Sequence, residues 1–121
     1  MPRILLADDH IEQSVLLQQL LENLSHRVDI ALSTADTLRQ LERSQPDLVV
    51  MDLRFPRAED GLALIRAIRQ AGRQMAVIVL SGWPDEIYET LEETMVSRVL
   101  VKGNVRELLD AVAELLPSSQ P

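Results

Sequence analysis

The chain has no cysteine, so disulfides and thiolate chemistry are excluded, and a reducing compartment such as the cytoplasm suits it. One Trp, one Tyr and one Phe leave the packing to Leu, Val, Ile and Ala, and they remove the aromatic platforms on which nucleic-acid bases stack. There is no apolar run long enough to cross a bilayer, and no basic start leading into an apolar signal segment. Positive charge is short too. Twelve basic residues against nineteen acidic ones give a net charge of −7, a field that repels nucleic acid and acidic membrane, so neither is expected as a partner. Among the basic residues lysine is the scarce one: eleven of the twelve are Arg, and the single Lys is Lys102. The plain reading of the Arg excess is a codon bias, against which the retention of one compact ammonium is informative.

What is present suits one hydrophobic core in 121 residues. Five aliphatic runs, Ile4–Ala7, Val28–Leu32, Leu48–Met51, Met75–Leu80 and Val99–Val101, are continuous rather than alternating, the pattern of strands covered on both faces. Helical spacing lies between them, with Leu17, Leu20, Leu21 and Leu24 in the first predicted helix and Leu64, Ala67, Ile68 and Ala71 in the third. Ser33 with Asp36 marks the start of a second helix carrying a thin stripe of Ala35, Leu38 and Leu41. Asn104 with Glu107 starts a fifth, with Val105, Leu108, Leu109, Val112 and Leu116 inward before Pro117 stops it. A fourth, Asp85–Thr94, has only Ile87 and Leu91 as its apolar face and is expected to be the most mobile. Alternating strands and helices predict an α/β, doubly wound five-stranded parallel sheet with five helices. Residues 1–116 form the domain, and 117–121 read as a tail or the start of a linker.

In open parallel sheets ligands sit at the carboxyl ends of the strands. Here the first run ends in Asp8-Asp9, the third in Asp52, the fourth in Ser81-Gly82 and the fifth in Lys102-Gly103. If the first and third strands are neighbours, three carboxylates meet, and a cation is the economical way to relieve their repulsion. Oxygen ligands favour a hard ion, Mg²⁺ above a caged Ca²⁺, with Mn²⁺ as substitute. A carboxylate beside such an ion can attack a phosphoryl group while metal and ammonium neutralise the phosphoryl oxygens, roles that Asp52, Lys102 and Ser81 fit by type.

Ile4-Leu-Leu-Ala-Asp8-Asp9, Asp47-Leu-Val-Val-Met-Asp52-Leu, Val77-Ile-Val-Leu-Ser81-Gly82 and Val99-Leu-Val-Lys102, in that order, make the chain resemble a response-regulator receiver domain over nearly its whole length. The resemblance implies a flavodoxin-like strand order 2-1-3-4-5 and Asp52 as phosphoacceptor, in a signalling switch rather than an enzyme acting on a separate substrate. It implies that Asp9 and Asp52 bind Mg²⁺ directly, Asp8 through water, and that the Arg54 backbone carbonyl completes the protein ligands. Ser81 and Lys102 would bind phosphoryl oxygens. The implied donor is a sensor histidine kinase or a histidine phosphotransfer protein, and the implied output is a change at the face of the fourth helix, fifth strand and fifth helix, toward an unspecified effector, the domain being a monomer or a phosphorylation-linked homodimer.

The chain departs from the family in places. Val99 stands where an aromatic is usual, Gly103 where Pro is common, and Gly61 comes one residue late, so that the loop Arg54–Asp60 is expected to bulge. Arg54 and Arg57 flank the acceptor as surface charges or as shields of the phosphoryl group, and Trp83 either covers the mouth or packs at the start of the fourth helix. His10 reads as a solvated loop histidine rather than a base or a ligand. Val99 and the weak fourth helix motivate an alternative, a receiver-like docking module acting without phosphorylation. A haloacid-dehalogenase type of hydrolase is disfavoured because Arg54 stands where that family needs its second Asp, and a flavin carrier because no Ser/Thr/Gly-rich loop follows the first strand.

Overall fold

The structure, a computed structural model, describes residues 2–71 and 73–116. The expected tail, 117–121, lies outside the described residues. Five strands, β1 (Arg3–Ala7), β2 (Arg27–Ala31), β3 (Leu48–Asp52), β4 (Ala76–Ser81) and β5 (Arg98–Val101), form one parallel sheet in the order β2-β1-β3-β4-β5. All four pairings are parallel, and the sequence-derived runs lie within a residue or two of the strands observed.

The continuous apolar runs are explained by two cores. Leu5, Val49, Met51, Val77 and Val79 join Leu41, Leu64, Ile65 and Ile68 on one side of the sheet. The intervening Ile4, Leu6, Leu48, Val50 and Ile78 join Leu21, Leu108 and Val112 on the other. Because successive strand side chains face opposite ways, each strand needs apolar residues at every position. The first core lies under α2 (Thr34–Ser44) and α3 (Ala58–Gln70), the second under α1 (Ile11–Asn23) and α4 (Val105–Leu115).

The caps follow the sequence. Ser33 Oγ accepts the Asp36 amide at 3.0 Å, and Asn104 Oδ1 accepts that of Glu107 at 3.0 Å. The buried faces are narrower than the spacing predicted. In α1 Leu21 is buried and Leu17 partly so, while Leu20 and Leu24 are exposed; Ala35, Leu38 and Val105 are also exposed, and Ala71 has left α3. In their place Thr37, Ile65 and Ala111 are buried.

Among the described residues there are four α-helices, not five. The segment expected as a fourth helix consists of two short 3-10 turns, Pro84–Glu86 and Leu91–Met95, with Glu89 between them at φ 66. Asp85, Glu86, Glu89, Glu92 and Glu93 would stand three or four apart on a helix and repel one another, and Thr90 instead caps the second turn through the Glu93 amide. Ile87 is fully buried as expected, but Leu91 is exposed, and Glu92 is held inside by Arg66 at 2.6 Å. The loop after β3 is also shorter than predicted, since α3 begins at Ala58 and the expected bulge through Asp60 is its first turn.

Gly61 fixes where α3 crosses that loop: a Cβ there would lie 1.9 Å from the Leu53 carbonyl oxygen. In an exposed helix Gly→Ala stabilises by about 1 kcal/mol. Here Gly61→Ala is expected to destabilise by roughly 2–3 kcal/mol, because backbone must move. The midpoint of urea unfolding reads the sign, and a raised midpoint would refute the close approach.

Candidate functional site: an acidic cluster at the strand ends

Ala7 of β1 pairs with Met51 of β3, so the chain delivers Asp8 and Asp52 side by side as the two strands end. Asp8 is fixed by its amide, which donates to the Ala31 carbonyl at 3.1 Å. Asp52 is set between immobile neighbours: the Leu53 amide continues the ladder to the Leu80 carbonyl at 2.9 Å, and Leu53 and Phe55 are both fully buried. On the far side of β4, β5 ends at Val101 and releases Lys102 into a turn in which Gly103 takes φ 101, a left-handed value that favours glycine.

Lys102 Nζ lies 2.6 Å from Asp52 Oδ2 and 4.0 Å from Asp8 Oδ2. The Asp52 side chain is only 4% exposed. Burial pushes its carboxyl above the ordinary range, the Lys102 hydrogen bond and charge pull it back, the Asp8 charge raises it again, and the Arg54 amide lowers it by donating to it. One ammonium faces three carboxylates. Ligand atoms of Asp8, Asp9, Asp52 and also His10 lie within 4.8 Å of one another, a spacing that one cation can bridge. The oxygen-rich donor set suits a hard divalent ion.

Ser81 is buried at the end of β4, where its Oγ accepts the Trp83 amide at 3.0 Å, so it is tied to the following loop. His10 is solvent-exposed as expected, yet its Nδ1 lies 3.0 Å from Asp8 Oδ1 and 3.2 Å from Asp9 Oδ1; its place directly after the acid pair was the available signal. Arg57 does not reach the site. It pairs with Glu59 and Asp60 at 3.2 Å each, at the start of α3. Arg54 turns to the loop after β4: its guanidinium binds Glu86 and lies 5.8 Å from the centre of the Trp83 ring. Trp83 is largely exposed and stands as the N-cap of the 3-10 turn Pro84–Glu86, at the start of the segment expected as a fourth helix. Nothing in the sequence marked Glu86 among five neighbouring acids. Beside the cluster, α1 and α4 enclose a cleft of about 440 Å³ lined by Leu16, Leu17, Leu20, Val105 and Leu108, with Asp52 and Lys102 at its end.

The raised carboxyl of Asp52 makes a stability prediction. The folded state binds this proton more tightly than the unfolded chain, so the contribution to stability is present below the ordinary value of 3.8 and is lost as pH rises through the folded value. In metal-free buffer Asp52→Asn is therefore expected to melt a few degrees above the native protein at neutral pH, with the gap closing in acid. A variant that melts lower at neutral pH would mean that the attraction of Lys102 outweighs burial.

Comparison with known proteins places the arrangement. The sequence profile described as "Response regulator receiver domain" matches residues 4–113. Among curated relatives, the transcriptional regulatory protein AfsQ1 of Streptomyces coelicolor is 36% identical over 87 residues, which cover 72% of this chain and 38% of the relative. The virulence transcriptional regulatory protein PhoP of Salmonella typhimurium is 33% identical over 90 residues, covering 72% of this chain and 40% of that protein. The chain thus spans well under half the length of these relatives. Among solved structures, the response regulator protein TrrA of Thermotoga maritima, in complex with Mg²⁺-BeF, superposes with a TM-score of 0.86 at 27% identity, over 96% of this chain and 100% of that one. A profile that takes in almost every described residue settles the assignment: this chain belongs to the response regulator receiver domain family.

Proposed function

We propose that Asp52 accepts a phosphoryl group from a phosphohistidine and that the domain acts as a phosphorylation switch. The observation that carries this is a carboxylate buried at a strand end, touched by the chain's only ammonium and flanked by two further acids. Asp52 Oδ attacks phosphorus, the O–P bond forms as the N–P bond breaks, and the electron pair leaves with the imidazole nitrogen. Lys102 Nζ, already in hydrogen-bond range of Asp52, meets the negative charge on the phosphoryl oxygens. Ser81 donates its hydroxyl to one of those oxygens, a donor left free because its Oγ only accepts from the Trp83 amide.

Asp9 and Asp52 would hold Mg²⁺ directly, Asp8 through water and Arg54 through its carbonyl. When bound, Mg²⁺, or Mn²⁺ in its place, supplies positive charge to the oxygens of the transferred group. His10 adds a nitrogen beside the same acids. Donors are a sensor histidine kinase or a histidine phosphotransfer protein, for which the apolar cleft between α1 and α4 offers an approach to Asp52. Output runs to an effector, or to a homodimer of this domain, through the face of the 3-10 turns, β5 and α4. Among the described residues no helix is long and apolar enough to cross a membrane; the cytoplasm is the compartment this reading proposes, where a sensor kinase would deliver its phosphoryl group. The docking-module alternative gains no support from this geometry, because an idle site has no need of a buried acid held against a lysine.

Intact mass after incubation with acetyl phosphate tests the reading. The native chain with Mg²⁺ is expected to gain one phosphoryl group, which chelation prevents. Asp52→Asn is expected to gain none, and Lys102→Ala to gain it at least about tenfold more slowly. A gain on Asp52→Asn equal to native would rule out Asp52 as the acceptor.

A further inference from the structure

The Arg54–Glu86 contact ties the loop after β3 to the 3-10 turn after β4, and its form is uneven. Arg54 Nε donates to Glu86 Oε1 at 2.9 Å and Nη2 donates to the same oxygen, so two donors share one acceptor. The other oxygen, Oε2, is buried without a partner. A guanidinium has five donors in a planar fork, so three of those on Arg54 remain available. Exposure is uneven as well: the Arg54 side chain is 61% exposed, that of Glu86 only 21%. Pro84 opens the 3-10 turn that carries Glu86, and Ile87 next to it is fully buried, which limits how far Glu86 can follow its partner.

Arg54 is also within reach of the acceptor. It stands two residues after Asp52, its backbone helps to hold the Asp52 carboxyl down, and the hydrogen bond and charge of Glu86, with the Asp52 charge behind them, push its guanidinium above the ordinary value. Phosphorylation would replace a single negative charge at Asp52 by one approaching −2, with three strong acceptor oxygens, and a phosphoryl group takes a guanidinium through two parallel hydrogen bonds. One oxygen of Glu86 offers less.

We propose that Glu86 and the phosphoryl group on Asp52 compete for Arg54, so that Glu86 sets how long the phosphorylated state lasts. This rests on the reading of Asp52 as acceptor. In the unphosphorylated protein Arg54 is parked on Glu86 against Trp83. After transfer it turns onto the phosphoryl oxygens and covers the phosphorus. Hydrolysis needs a water oxygen to bond phosphorus while the Asp52 oxygen leaves with the bonding pair and the water proton passes to solvent. Arg54 in that position obstructs the water. Glu86 acts only through Arg54 and is a positioning residue. Its release of Arg54 leaves a largely buried carboxylate with neither oxygen paired, which favours opening of the turn Pro84–Glu86 to water. That is a route from the site to the neighbouring surface in a chain with Val99 at the place of the usual aromatic.

The test is a double-mutant cycle on the half-life of the phosphorylated protein, followed by intact mass after acetyl phosphate is removed, for the native chain, Arg54→Ala, Glu86→Gln and the double variant. Glu86→Gln is expected to lengthen the half-life by roughly three- to tenfold, a coupling of ordinary size, and Arg54→Ala to shorten it. In the Arg54→Ala background Glu86→Gln is expected to change nothing. A change of the same size in both backgrounds, or no change in the native background, overturns the competition. Urea midpoints of the four proteins show that altered folding is not the cause. If none of the four gains a phosphoryl group, the assignment of Asp52 fails and the competition with it; if all gain one and the half-lives do not follow the cycle, only the competition fails.

Discussion

A charge can remain where water scarcely reaches only if an opposite charge touches it, and this site is arranged around that requirement. Asp52 is 4% exposed, and Lys102 reaches it at 2.6 Å from a turn that the sequence places fifty residues later. Leaving such a carboxylate buried and unpaired costs several kcal/mol. β4 lies between the strands that carry the two groups, so the cation must cross it, and a compact head on a flexible four-carbon stem does this where a planar guanidinium fits less well. The position of the chain's single lysine is thus explained by one contact.

The rest of the fold holds that contact still. Side chains at alternate positions of β3 enter different cores, and Leu53 and Phe55, on the loop that follows, are both fully buried. Asp52 therefore leaves the sheet between anchored neighbours, and Arg54, between two buried residues, has only the outward direction left. Gly61 lets α3 cross directly over Leu53. A group held by packed neighbours reacts from a fixed position, without the entropy loss of first being ordered.

The strands and the acid–lysine–serine set were legible because a sheet covered on both faces writes itself as unbroken aliphatic runs, and the residues ending those runs are where such sheets bind ligands. The contacts among loop side chains were not legible. Arg54 selects Glu86 from a cluster of equivalent acids, and the choice depends on the path of two loops that no periodicity encodes. The predicted fourth helix failed for a related reason: repulsion among its acids and the left-handed Glu89 break it, while Ile87 still takes its place in the core. In α1 the spacing identified the helix but overstated its buried face, since Leu20 and Leu24 border the cleft or solvent rather than the sheet.

The topology has a consequence for the life history of the molecule. The acids come from the ends of β1 and β3, the serine from β4 and the lysine from beyond β5, so no contiguous fragment owns the site. A chain emerging from synthesis carries Asp52 long before Lys102 exists to accompany it. Until β5 has docked, that acid belongs to an ordinary solvated segment. The complete cluster is in this way a sign that β1, β3, β4 and β5 have come together, since a chain cut short before β5 lacks the lysine altogether.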